Sequence, residues 1–196
     1  MSAQHLIECI NKFAQLESNP VLAVIPADAH IEQNRKYPEP VLQFADCGLR
    51  SYYHCHEMTG KPEHEHGHFH IFIKSDSDRW SHLAALTMDH FGQPIQWFTV
   101  NHWVSGEDWL PASGLQQALS ELQQSSQLLS LHERWLLAML LFYQQKITLM
   151  LELRDSRLIE LSASGDATDV LQDRTIYTLS SCPVNVFNDL KCALQS

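Results

Sequence analysis

Residues His54 to His70 hold six of the chain's twelve histidines. They read His54-Cys55-His56, a short polar stretch, then His64-Glu65-His66-Gly67-His68-Phe69-His70. Neutral imidazole is the commonest protein ligand for transition metals, and its ordinary pKa leaves it neutral near pH 7. Recurrence at every second residue places these rings on one face of an extended strand. Rings two positions apart start roughly 6.6 Å apart along the backbone. They must tilt inward to reach the nitrogen–metal distance of about 2.0–2.1 Å.

Gly60 and Pro62 favour a turn between the two halves, so the simplest folding is a hairpin. One register sets His54 and His56 opposite His66 and His68, with His70 one step further along. The expected ligands are therefore His54, His56, His66 and His68, with His70 as a fifth candidate. His64 sits beside the turn and is expected in solvent. Half-buried histidines also occur on strands that hold no metal. Five at period two across a turn favour a metal site.

Histidine ligands on a β-scaffold suit a divalent transition metal: Zn, Fe, Mn or Cu. An ion with an open position would polarise a small-molecule substrate, or activate water or dioxygen, as a mononuclear metalloenzyme does. An excess of histidines suits a non-catalytic metal buffer or chaperone equally well. No residue stands out as a catalytic acid. Glu57, Glu63 and Glu65 flank the cluster and would balance its charge on protonation.

The elements that must hold these residues follow from periodicity. Residues 4–17 predict a helix, and Ala27 to Lys36 has helical composition. Tyr37-Pro38-Glu39-Pro40 then forces an extended path. Leu49 to Glu57 predicts a strand with Arg50, Tyr52, His54 and His56 on one face. The strand from Glu65 to Lys74 opposes its histidines with Gly67, Phe69, Ile71 and Ile73, a packed apolar face. The turn cluster Ser75 to Asp78 leads to a strand over His82 to Met88. A further strand follows over Ile95 to Val104. Asn101 could orient a water or a bound cofactor or substrate if its face meets the histidines; a strand-end hydrogen-bond cap is the competing role. Helices are expected from about Ser113 and over His132 to Arg154, then a polar break at 162–169. A fifth strand over Thr175 to Leu179 and a short final helix close the chain.

The expected fold is α+β: an antiparallel four- to five-stranded sheet with a His-rich hairpin, packed by helices. A single domain over 1–196 divides into an N-terminal helical or irregular segment (1–48), the sheet (49–104) and a helical layer with a short strand (113–196). At 44% hydrophobic and 18% charged residues, the composition can build a core. The formal charge of −10 argues against a nucleic-acid partner, since no basic stripe exists to neutralise phosphates. Five cysteines at spacings that form no motif suit a reducing compartment. The apolar run Trp135 to Tyr143 is too short to cross a bilayer. A cytoplasmic protein without a membrane partner is expected, and the apolar second helix would serve either the core or a homodimer.

Three family resemblances bear on the histidines. The His-x-His pair is similar to a cupin strand motif, but Phe72 and Lys74 stand where a cupin glutamate would follow. His66-Gly67-His68-Phe69-His70-Ile71-Phe72 resembles the histidine-triad motif, which implies a nucleotide hydrolase or transferase with His68 as nucleophile. Gly67 departs from that pattern, and no basic set for phosphate accompanies it. Tyr52-Tyr53-His54-Cys55-His56, the EHGHFH run and Trp97-Phe98-Thr99-Val100-Asn101-His102-Trp103 together resemble uncharacterised bacterial proteins that share a domain of unknown function. That resemblance implies a bacterial cytoplasmic protein centred on the histidines and supplies no activity.

Overall fold

The computed structural model describes residues 2–26, 30–44, 47–56, 63–74, 79–122, 129–163 and 170–195. Helix α1 (Ser2–Gln15) precedes strands β1 (Tyr37–Phe44), β2 (Leu49–His54), β3 (Glu65–Lys74), β4 (Trp80–Asp89) and β5 (Pro94–Val100). Helices α2 (His102–Ser105), α3 (Ala112–Glu121), α4 (Leu131–Phe142) and α5 (Gln144–Ala163) follow. Strand β6 (Thr178–Pro183) and helix α6 (Val186–Ala193) complete the described elements. The strands form one sheet in chain order, every neighbouring pair antiparallel.

The α+β expectation stands, with six strands rather than four or five. The strand missing from the sequence reading is β1. Its Pro38 and Pro40 argue against a central strand, and β1 indeed lies at the sheet edge. Residues 30–36 form no helix. The strand expected over Ile95 to Val104 stops at Val100, because Asn101 caps α2 and Gly106 ends it at φ 63°. The long helix over 132–154 is two helices, α4 and α5, bent by 68° around Tyr143. Tyr143 is anchored at the bend by its hydroxyl, which donates to Asp189 at 2.7 Å. The turns expected around Gly60 and Pro62 and over Ser75 to Asp78, and most of the polar break at 162–169, lie outside the described residues.

One sheet face carries the core. Phe69, Ile71, Leu86 and Trp97 pack there with Leu115 and Leu119 of α3, Trp135, Met139 and Leu140 of α4, and Ile147 and Leu151 of α5. Burial of such side chains stabilises by about 1.5–3 kcal/mol each. The other face carries the histidines and a small apolar group of Ala85, Phe98 and Val100.

Two irregularities decide which side chains reach that second face. The β3–β4 ladder shifts between Glu65 and Gly67, and again between Ile71 and Phe72. A bulge adds one residue to one strand and so reverses side-chain alternation beyond it. At the first shift Glu65 turns onto the histidine face while His66 turns off it. At the second, Leu83 and Ala84 both join the core, and His82 comes opposite Phe72 on the histidine face.

Candidate metal centre

The histidines are assembled by the β2–β3 ladder. His54 pairs with His68, and Tyr52 pairs with His70. His54 Nε2 and His68 Nε2 lie 2.9 Å apart. The His70 ring centre is 4.9 Å from that of His54 and 4.8 Å from that of His68. One ligating atom from each of His54, His68 and His70 falls within 4.8 Å of the others. Nitrogens sharing one tetrahedral ion at about 2.0–2.1 Å would be about 3.3 Å apart, so small ring rotations close the cluster on a metal.

The far side of two of these rings is already engaged. Glu65 accepts from His68 Nδ1 at 2.7 Å, and both side chains are buried. His70 Nδ1 lies 2.8 Å from His82 Nε2. In the tautomer that carries the proton on Nδ1 of both rings, Nε2 of His68 and His70 is left as the acceptor nitrogen. A carboxylate or a further acceptor behind a ligating histidine fixes its tautomer and orientation in this way. Thr87 stands opposite His68 on β4, and its hydroxyl is buried without a hydrogen-bond partner among the described residues.

The remaining candidates are placed differently. His56 follows the end of β2; its ring centre is 4.9 Å from that of His54 and 5.1 Å from that of His68. Its Nε2 lies 3.1 Å from the Tyr177 hydroxyl, which makes it a flank of the cluster. His66 lies on the core side, its Nδ1 2.6 Å from the Tyr53 hydroxyl and its ring 5.3 Å from that of His90. The structure does not bring it to the other three. His64 is exposed, at φ 73°.

Asn101 is fully buried and spends its side chain on structure. Its Oδ1 accepts from the His102 backbone N–H at 2.8 Å, and its Nδ2 donates to the Val170 carbonyl at 2.7 Å. Trp97, on the same strand face, lies in the core, whereas Phe98 meets His68 at 5.2 Å between ring centres. The cap role weighed for Asn101 is thus the one its contacts give.

Sequence reasoning missed Glu65 and His82 as members of the cluster. Both arrive through the ladder shifts. The available signal for the first was Gly67, an isolated glycine within a strand run, which marks a bulge or a close backbone approach. No comparable signal accompanies Leu83.

Burial keeps these imidazoles neutral. His54 is pushed down to about 3, first by burial and then by His68, His56 and Lys36. His82 is likewise pushed down to about 3, by burial first and then by Arg154 and His68. Burial, followed by the neighbouring histidines, holds His70 well below its ordinary value of 6.5. An unfolded chain takes up the protons of His54 and His82 as pH falls through about 6.5, while the folded chain refuses them until about 3; His70 acts in the same direction. Stability is therefore fully present above pH 6.5 and is lost as pH falls from there, by about 1.4 kcal/mol per unit for each of His54 and His82. Metal-free protein should be at least about 3 kcal/mol less stable at pH 5.5 than at 7.5 in urea unfolding. Equal stability at the two values would contradict buried neutral rings at these positions.

These features define an α+β protein whose antiparallel meander carries a buried histidine–carboxylate cluster with the spacing of a metal site. The chain belongs to the family described as a domain of unknown function (DUF6969), whose model matches residues 1–184. No curated protein and no solved structure matches it. Among the described residues no single helix is long and apolar enough to cross a membrane. The apolar residues of α4, from Trp135 to Leu140, are buried within the core.

Proposed function

We propose that this protein binds one divalent transition-metal ion through Nε2 of His54, His68 and His70, with His56 at the edge of the coordination sphere. The observation that carries this reading is the engagement of Nδ1 on His68 and His70 by Glu65 and His82. It orients two buried rings so that their other sides converge with His54.

Three neutral nitrogen ligands leave positions open on Zn, Fe, Mn or Cu, which is the coordination a mononuclear metalloenzyme requires. The five cysteines form no disulfide with one another, in keeping with a reducing, cytoplasmic setting. The histidine-triad reading draws no comparable support. His68, its nucleophile, is fully buried between Glu65 and His54.

Elemental analysis of protein purified without a histidine tag or added metal tests the proposal. About one equivalent of a single transition metal is expected, and His66→Ala should retain it. Absence of metal, with no uptake of Zn, Fe, Mn or Cu at micromolar concentration, would overturn the reading. Glu65→Gln should keep the fold but weaken metal affinity by about 10–100-fold, the usual loss when the partner behind a ligating histidine is changed. Competition against a chelator of known affinity reads this directly, and an unchanged affinity would remove Glu65 from the site.

A further inference from the structure

The histidine face is sealed on one side and open on the other. His68, His70, Phe72 and Phe98 are buried, whereas Tyr52, His54, His56 and Tyr177 are only partly so. Lys36 stands at this partly exposed side, its Nζ 4.5 Å from the centre of the Tyr52 ring. It is exposed and forms no ion pair among the described residues. Glu32 and Glu39, near it in the chain, pair with Arg35 instead. The second cation on this face, Arg50, is already engaged by Glu107 and lies over the rings of Phe72 and Trp80.

Charge accounting gives the ligand its sign. Three neutral imidazoles leave a divalent ion with its full double charge. Among the described residues the one carboxylate bonded to the cluster, Glu65, is buried behind His68. Lys36 adds a further positive charge at the rim. An anion completing the coordination sphere there would be attracted by both centres. The rim also offers donors: burial pushes the Tyr52 phenol up to about 12, and burial raises that of Tyr177 as well, so both keep their protons at neutral pH.

We infer that the open position of this centre takes the carboxylate of a small organic acid, which enters over Tyr52 and pairs with Lys36. The inference rests on the metal reading and deepens it by naming the ligand class.

The test uses the full chain loaded with one equivalent of Co(II), its metal content confirmed by elemental analysis in every sample. Acetate and butyrate are titrated while the visible absorption of the ion is followed. Both should change the spectrum saturably, and neutral acetamide should not. Lys36→Gln should weaken acetate binding about fivefold, the scale of a partly screened charge pair. A Co(II) spectrum indifferent to both acids, or equally responsive to acetamide, would overturn the carboxylate assignment while leaving the metal site standing. Acetate affinity unchanged in Lys36→Gln would remove the lysine from it. Failure to hold Co(II) at all would sink both readings, and the elemental analysis separates that outcome from the others.

Discussion

His68→Ala should abolish metal uptake and also lower the stability of the metal-free chain. His68 is the one ligand that touches everything in the cluster: His54 through Nε2, Glu65 through Nδ1, and Phe98 through its ring. Removing it takes away a ligand, opens a cavity in a fully buried position and leaves the Glu65 carboxyl facing that cavity. Leaving a buried polar group unsatisfied costs about 1–3 kcal/mol, and more if it is charged. His64→Ala, altering an exposed ring six positions before His70 in the same segment, should change neither quantity. Urea unfolding and metal analysis of the two variants read both effects. One equivalent of metal retained by His68→Ala would falsify the ligand set.

Gly67→Ala should be nearly as damaging, although no ligand is touched. A Cβ at Gly67 would lie 2.5 Å from the backbone carbonyl oxygen of His54 and 2.6 Å from the Tyr53 hydroxyl. The first is backbone, so it yields only if β2 moves away from β3. That movement displaces His54 from His68 in the very pair that builds the site. Overpacking of this kind costs about 1–3 kcal/mol, and the altered strand spacing should weaken metal binding as well. Thermal unfolding and chelator competition on the variant check the two consequences separately. Stability within about 0.5 kcal/mol of the parent together with unchanged affinity would show that the hairpin accommodates the methyl group.

The parts of the site that were legible in the sequence are those governed by backbone geometry alone. Alternation placed His54, His68 and His70 on one face and Phe69, Ile71 and Ile73 on the other. The register with His54 opposite His68 is the one the ladder adopts. Alternation failed where the ladder shifts, because a bulge is decided by how two strands fit together and leaves little trace in either one. It therefore misplaced His66 and hid Glu65 and His82. Strand β1 was hidden by its prolines, which forbid a central strand but suit an edge. The strand pattern runs on through Asn101, whereas its Oδ1 caps α2 at the adjacent His102 N–H and its Nδ2 reaches the Val170 carbonyl, 69 positions away. The break at Tyr143 depends on Asp189 of α6, which no local pattern around residue 143 could announce.

The strictly sequential strand order has a kinetic consequence. From β1 to β5 each strand pairs with the one made just before it across a short connection, so those loop closures carry a low entropic cost, whereas β6 pairs with β5 only after α2 to α5. Topologies dominated by such local pairings fold faster than those that must join distant segments. The three proposed ligands come from a single hairpin spanning residues 54 to 70, and their convergence needs only β2 and β3. The histidine triangle is thereby a local product of the chain, able to form before β6 has docked at the far edge of the sheet.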